Sequence, residues 1–298
     1  MRIITLLFLC LASSSCRKGF EELNQNPNVT TTVDPNALFA YAQFRYHTDY
    51  LNGVRTEIWG LNNWMQVQAS INGTSSAGNE YFMSGDAINN TWSLMYADVL
   101  GNIEEAMRLT KDDPINVNKY NTYRIYRAYI YHRLTDLWDN IPYTAAHNTI
   151  NAENTPDLSP EYDPQSIVYQ DLINELRSAV SGFDQSRPDV GAQDWIYHGD
   201  VDKWIRFANS LTLRLALRIS DKVPTIALPV IQQLTTENRF IQSNQGSARF
   251  PHSSNARNPF YELDNTAQGM YNPSTFLVEQ FTTDSDPRIT RYAEYSPQ

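Results

Sequence analysis

Five histidines and thirty-three carboxylates are the groups of this chain that could carry acid–base or metal chemistry. His47, His132, His147, His198 and His252 include no pair at zinc-binding spacing and no H-E-x-x-H. There is no G-x-S-x-G nucleophile elbow and no phosphate-cradling glycine loop. A glycosidase needs two carboxylates at a defined separation, and a sequence does not give separations. Glu104 and Glu105 stand late in a helical pattern, and Arg108, four residues after Glu104, predicts a solvated ion pair. Asp136 and Asp139 flank Trp138, where they are expected to end a helix or pair with Arg133, and His132 reads as helix packing. The expectation is a protein with no catalytic residue, no metal and no cofactor.

Recognition chemistry is better supplied. The chain holds 18 Tyr, 12 Phe and 6 Trp, more rings than charge-driven solubility requires. A sugar ring has an apolar C–H face and a rim of hydroxyls, so its binding calls for exposed aromatic faces beside Asn, Gln or Asp side chains. Such groups belong on loops held by a rigid scaffold. Residues 60–85 supply Trp64, Gln66, Asn72 and Tyr81, with Gln68 and Asn79 nearby; residues 240–275 supply Asn258 and Tyr261, with Phe260, Asn265 and Tyr271. Trp64, Gln66, Asn72, Tyr81, Asn258 and Tyr261 are the candidate ligand-binding residues. The plainer role for a ring is packing, and it is expected for Trp59, Trp92, Tyr96, Trp138 and Trp204.

The elements that must position those loops read as helices. Apolar residues at Ile88, Trp92, Met95, Tyr96, Val99, Ile103, Ala106 and Met107 recur every three or four positions, which predicts a helix from Asp86 to Thr110. Further helices are predicted over 36–51, 118–138, from 163–164 onward, over 201–220 and over 224–237. Asp163 and Asp86 are the expected N-caps, with Pro164 at a first helical position. Tyr120, Tyr123, Tyr126 and Tyr129 form a ladder that can touch two neighbours. The fold class predicted is all-α, a tetratricopeptide-like stack of helix pairs, although the strict motif of that repeat is absent. Three long irregular stretches, 60–85, 139–162 and 240–275, are where function is expected.

The N-terminus carries an address. Arg2 precedes an apolar run from Ile3 to Ala12, then three serines, then Cys16, the pattern of a secretory signal that ends on a lipid-accepting cysteine. The apolar run is shorter than the roughly 20 residues of a membrane span. Cleavage before Cys16 would remove Cys10, leaving one cysteine and no internal disulfide. It would also remove Arg2 and take the formal charge from −10 to −11, a balance that repels nucleic acid. Residues 1–15 are thus expected to be a lipoprotein signal peptide, 16–35 a polar tether, and 36–298 the binding domain.

Several segments, taken in order, resemble one family. Residues 20–28 (FEELNQNPN) follow the cysteine; 92–106 hold a W-x-x-x-Y helix; 123–143 (YRIYRAYIYHRLTDLWDNIPY) approach the pattern R-A-Y-x-Y-x-x-L-x-D-x-W-G-x-I-P, with Asn140 in the neighbourhood of its usual glycine; 162–176, 199–220 and 285–292 follow. The chain resembles the SusD/RagB family of nutrient-binding outer-membrane lipoproteins of Bacteroidota. It looks like an N-terminal portion of such a protein, lacking the C-terminal part. The resemblance implies a surface-exposed lipoprotein, anchored in the outer membrane through Cys16, that binds oligosaccharide and delivers it to a SusC-like TonB-dependent outer-membrane transporter. It also leaves open a peptide ligand on the same architecture. A lipoprotein glycoside hydrolase and a helical scaffold without a small ligand are the other readings.

Overall fold

The computed structural model describes residues 33–49, 56, 60–70, 81–83, 85–147, 159–262 and 271–292. The signal segment, Cys16, nearly all of the tether, Trp59 and Asn72 lie outside the described residues. Pro35–Gln298 is one compact unit.

Helices dominate it. They are α1 (Pro35–Thr48), α2 (Gly85–Ser93), α3 (Gly101–Thr110), α4 (Val117–Trp138), α5 (Gln165–Ser181), α6 (Val201–Ile219), α7 (Pro224–Glu237), α8 (Thr275–Thr283) and α9 (Ile289–Tyr292). Helix α1 packs on α3, α3 on α4, α4 on α5, α5 on α6 and α6 on α7, so neighbours in sequence are neighbours in space. A two-stranded antiparallel sheet joins β1 (Gln68–Ser70) to β2 (Tyr271–Pro273), with Gln68 opposite Pro273 and Ser70 opposite Tyr271. No helix among the described residues is long and apolar enough to cross a membrane.

The core is aromatic. Trp204, Tyr123, Tyr126, Tyr131 and Phe39 are completely buried or nearly so. The ring of Phe39 lies 4.8 Å from Tyr123 and meets Tyr126 edge-on at 5.4 Å, while Tyr197 meets Trp204 edge-on at 5.2 Å. These tilted and perpendicular contacts are the preferred geometries of ring quadrupoles. The tyrosine ladder of α4 faces two ways as expected, with Tyr123 against α1 and Tyr129 between Tyr46 of α1 and Phe207 of α6.

Helix ends follow local chemistry in part. Asp200 caps α6 by accepting the Lys203 N–H at 3.1 Å. Asp163 does not cap α5. It pairs with Ile141 through the backbone, and its carboxylate accepts the N–H groups of Tyr143 (3.1 Å) and Thr144 (2.7 Å). The 139–162 stretch is therefore pinned at both ends. Asp86 falls in the first turn of α2, which begins at Gly85.

The predicted 86–110 helix is continuous but not uniform. Leu94–Leu100 is π-helical, and Gly101 N–H reaches back five residues to the Tyr96 carbonyl. One extra residue per turn shifts the phase of everything on its N-terminal side. Val99, Ile103 and Ala106 are fully buried, whereas Trp92 and Tyr96, expected in the core, are only half-buried.

Candidate functional site

The turn Asn62–Trp64 and the residues after it form a platform. Gln66 sits in the left-handed region at φ 56°, which folds the chain back into β1. The Ser274 hydroxyl donates to the Gln66 carbonyl, and Ser274 N–H donates to the Val67 carbonyl at 3.3 Å. With the β1–β2 pairing, these bonds hold the platform to a segment some 200 residues later in the chain. Met83 lies against Gly60, where a Cβ would stand 1.9 Å from its Cε. That close approach brings residues 81–83 alongside.

The outcome is a ring shelf. Trp64 and Tyr81 are stacked, with centroids 6.5 Å apart and planes inclined by 25°. Tyr81 is 65% exposed, and Phe82, Met65 and Val67 are exposed beside it. Gln66 is exposed on the same turn. Asn63, next to Trp64 in the chain, is 6% exposed, and its amide nitrogen and oxygen and the buried Trp64 indole N–H lack a hydrogen-bond partner among the described residues. Leaving a buried donor or acceptor unpaired costs about 1–3 kcal/mol.

Of the predicted residues, the structure brings Trp64, Gln66 and Tyr81 together. Asn258 and Tyr261 sit on another segment. The Asn258 side-chain Oδ1 accepts the Phe260 N–H at 2.9 Å and so organises the turn that leaves Tyr261 60% exposed. Met65, Phe82 and Asn63 were not among the candidates. The adjacent pair Tyr81-Phe82 in a loop was the available signal, because two neighbouring rings in an irregular segment are hard to bury together.

The charged groups are tied into the scaffold. Arg127 pairs with Glu104 across α3 and α4, and Arg108 pairs with Glu105, not with Glu104 as its spacing predicted. Burial would lower the Arg127 pKa, but the neighbouring Glu104 outweighs it and raises the value. Asp136 pairs with neither Arg133 nor the helix end. It accepts the Tyr169 hydroxyl and lies 3.1 Å from both His132 Nε2 and an Arg218 guanidinium nitrogen. Burial alone would raise the Asp136 carboxyl, but the nearby His132, the hydrogen bond from Tyr169 and the Arg218 charge hold it below its ordinary value. Asp194, fully buried, accepts from Gln43 Nε2, from Trp204 Nε1 and from the N–H groups of Ile196, Tyr197 and Gly199.

Comparison with known proteins fits this architecture. The SusD-like family, described as starch-binding and associating with the outer membrane, matches residues 27–298. The chain belongs to the SusD-like family. Among solved structures, this SusD-like chain is similar to a chitin-binding protein (TM-score 0.77, 22% identity, 86% of this chain and 54% of that one). It is also similar to a chitin-binding SusD homologue from Flavobacterium johnsoniae (TM-score 0.74, 22% identity, 86% and 53%) and to a SusD-like protein of Bacteroidetes AC2a (TM-score 0.72, 26% identity, 87% and 50%). The chain spans about half the length of these structures. No curated protein sequence matches it.

Proposed function

We propose that this SusD-like protein binds nutrient oligosaccharide at the Trp64–Tyr81 shelf and works as a lipid-anchored lipoprotein of the outer-membrane surface. In this reading Cys16 carries the lipid, Gln66 and Asn72 bond hydroxyls beside the rings, and Asn258 and Tyr261 contact the ligand from the second loop. The ligand passes to a SusC-like TonB-dependent barrel. The chemistry is reversible binding. The observation that carries the reading is the Trp64–Tyr81 ring pair, with Tyr81 65% exposed and Gln66 exposed on the adjoining turn. Chitin-binding SusD homologues of the same fold support a carbohydrate ligand.

Titration calorimetry of the protein against glucan and chitin oligosaccharides, with a peptide mixture in parallel, tests it. Heat with a sugar series, lost in Tyr81→Ala, is expected. Heat with peptides alone would overturn the carbohydrate ligand, and sugar hydrolysis on incubation would overturn pure binding. Fatty-acid labelling of the wild type but not of Cys16→Ala is expected of the anchor, and co-purification with a large outer-membrane barrel is expected of the partner.

A further inference from the structure

A second aromatic cleft lies in the scaffold, built from residues that the shelf does not use. Its volume is about 390 Å³, and Trp92, Tyr96, Tyr162, Pro142 and His147 are among the residues around it. A neighbouring cleft of about 540 Å³, bordered by Glu104, Glu105, Arg108, Lys111 and Tyr120, shares His147 with it. Each is within the size range of small-ligand sites, roughly 300–1,000 Å³. Together they make one groove, aromatic at one end and polar at the other. We infer that this groove is a second oligosaccharide site.

The aromatic end is prebuilt. Trp92 and Tyr162 are stacked with centroids 6.2 Å apart and planes within 15°, and Tyr162 is 60% exposed. Trp138 meets Trp92 edge-on at 5.2 Å and holds it in place. The Tyr96 hydroxyl donates to the Pro142 carbonyl at 2.7 Å, and Asp163 fastens Tyr143 and Thr144, so the loop walls are fixed to α5 and the π-helical stretch. That stretch carries Tyr96 and adjoins Trp92, and both rings pack against the core while staying partly exposed. π-Helical insertions occur frequently at functional sites.

His147 marks the junction. Its backbone is left-handed at φ 58°, a conformation costly for a residue with a Cβ. Its ring stacks on Tyr96 at 6.0 Å, and its Nε2 is buried without a partner among the described residues. Burial, with Arg127 adding to it against the opposing pull of Glu104, pushes the imidazole pKa below its ordinary value. At the polar end Glu104 is matched by Arg127 and Glu105 by Arg108, and Lys111 makes no ion pair among the described residues.

These groups suit a sugar chain better than a peptide. The α3 wall has its N–H and C=O groups bonded within the helix, so a bound peptide backbone would lose water without gaining partners. A sugar would place its C–H faces on the rings and its hydroxyls on His147, Glu105 and Lys111.

The inference rests on the carbohydrate reading above, and the experiment separates the two. Calorimetry with short glucan and chitin oligosaccharides is run on wild type, Tyr81→Ala and Tyr162→Ala, each first shown to melt as the wild type does. The expected result is two sites per chain, one lost in Tyr81→Ala and the other lost, or weakened at least about tenfold, in Tyr162→Ala. One site, lost in Tyr81→Ala and intact in Tyr162→Ala, would overturn the groove and leave the shelf standing. No sugar binding in any form would overturn both. Peptide binding removed by Tyr162→Ala would overturn the carbohydrate assignment of the groove.

Discussion

The indole N–H of Trp204 donates to the carboxylate of Asp194 at 2.7 Å, with both residues fully buried. Four more donors, from Gln43, Ile196, Tyr197 and Gly199, converge on the same carboxylate. One acidic side chain thus ties α1, the 194–199 turn and α6 together. Asp194→Ala strands all five donors, and a loss of about 3–5 kcal/mol is expected. Urea unfolding measures it.

Tyr81→Ala separates binding from stability. The ring is 65% exposed, so the folding free energy is expected to change by less than about 1 kcal/mol. The loss of a stacking face is expected to weaken sugar binding by about 1 kcal/mol or more, a factor of at least ~5. Paired melting and calorimetry curves check both halves.

Glu104 and Glu105 are neighbours with unequal roles. Glu105→Gln breaks a surface pair and is expected to cost less than about 1 kcal/mol. Glu104→Gln leaves the largely buried Arg127 guanidinium short of its main partner and is expected to cost about 1–3 kcal/mol. Glu175, 3.8 Å from Arg127, supplies part of the compensation. Parallel denaturation of the two variants gives the comparison.

The 250 region is held to α1 by a stack in which His47 lies on Phe250 and Phe250 on Trp195. Burial, helped by the charge of His252, pushes the His47 pKa down to about 4 from 6.5. The folded state therefore prefers the neutral ring. Its contribution is fully present above pH 6.5 and is lost as pH falls towards 4, by up to about 3 kcal/mol. His47→Phe keeps a ring in the stack and removes the titration. Its melting temperature is expected to fall less than that of wild type across this interval.

Asp139 ends α4 at φ 63° and ψ −103°, a region open to glycine and strained for other residues. The Thr135 hydroxyl donates to its carbonyl at 2.7 Å and helps to hold it there. Asp139→Gly is expected to stabilise the protein by about 1 kcal/mol, read as a higher urea midpoint. The resemblance puts the usual glycine in the neighbourhood of Asn140, directly after Trp138, and that is where the strained Asp139 stands.

The helical stack was legible because its signal is local. Apolar residues spaced by three and four mark one helix face wherever the chain goes, so α4, α6 and α7 fall within a residue or two of their predicted spans. Side-chain pairing was less legible. Arg108 had two carboxylates within reach, and Arg127, twenty-three residues after Glu104, took the one that the sequence spacing had assigned to Arg108. Asp163 carried the residue type of a cap but found two loop N–H groups across a bridge to Ile141.

By themselves, the residues determined the export pattern ending at Cys16, the all-α class and the family resemblance, and they marked the aromatic–amide loops as candidates for binding. Each depends on composition or on spacing within a short window. Only the tertiary structure decided which rings are exposed and which meet. The turn that carries Trp64 is held by Ser274, 210 residues after it, while the approach of Met83 to Gly60 brings Tyr81 alongside. Trp92 packs against the core yet stays half-buried beside a π-helical stretch. Such outcomes depend on long-range packing and on single-residue changes of helical register, which a periodic pattern along the chain does not record.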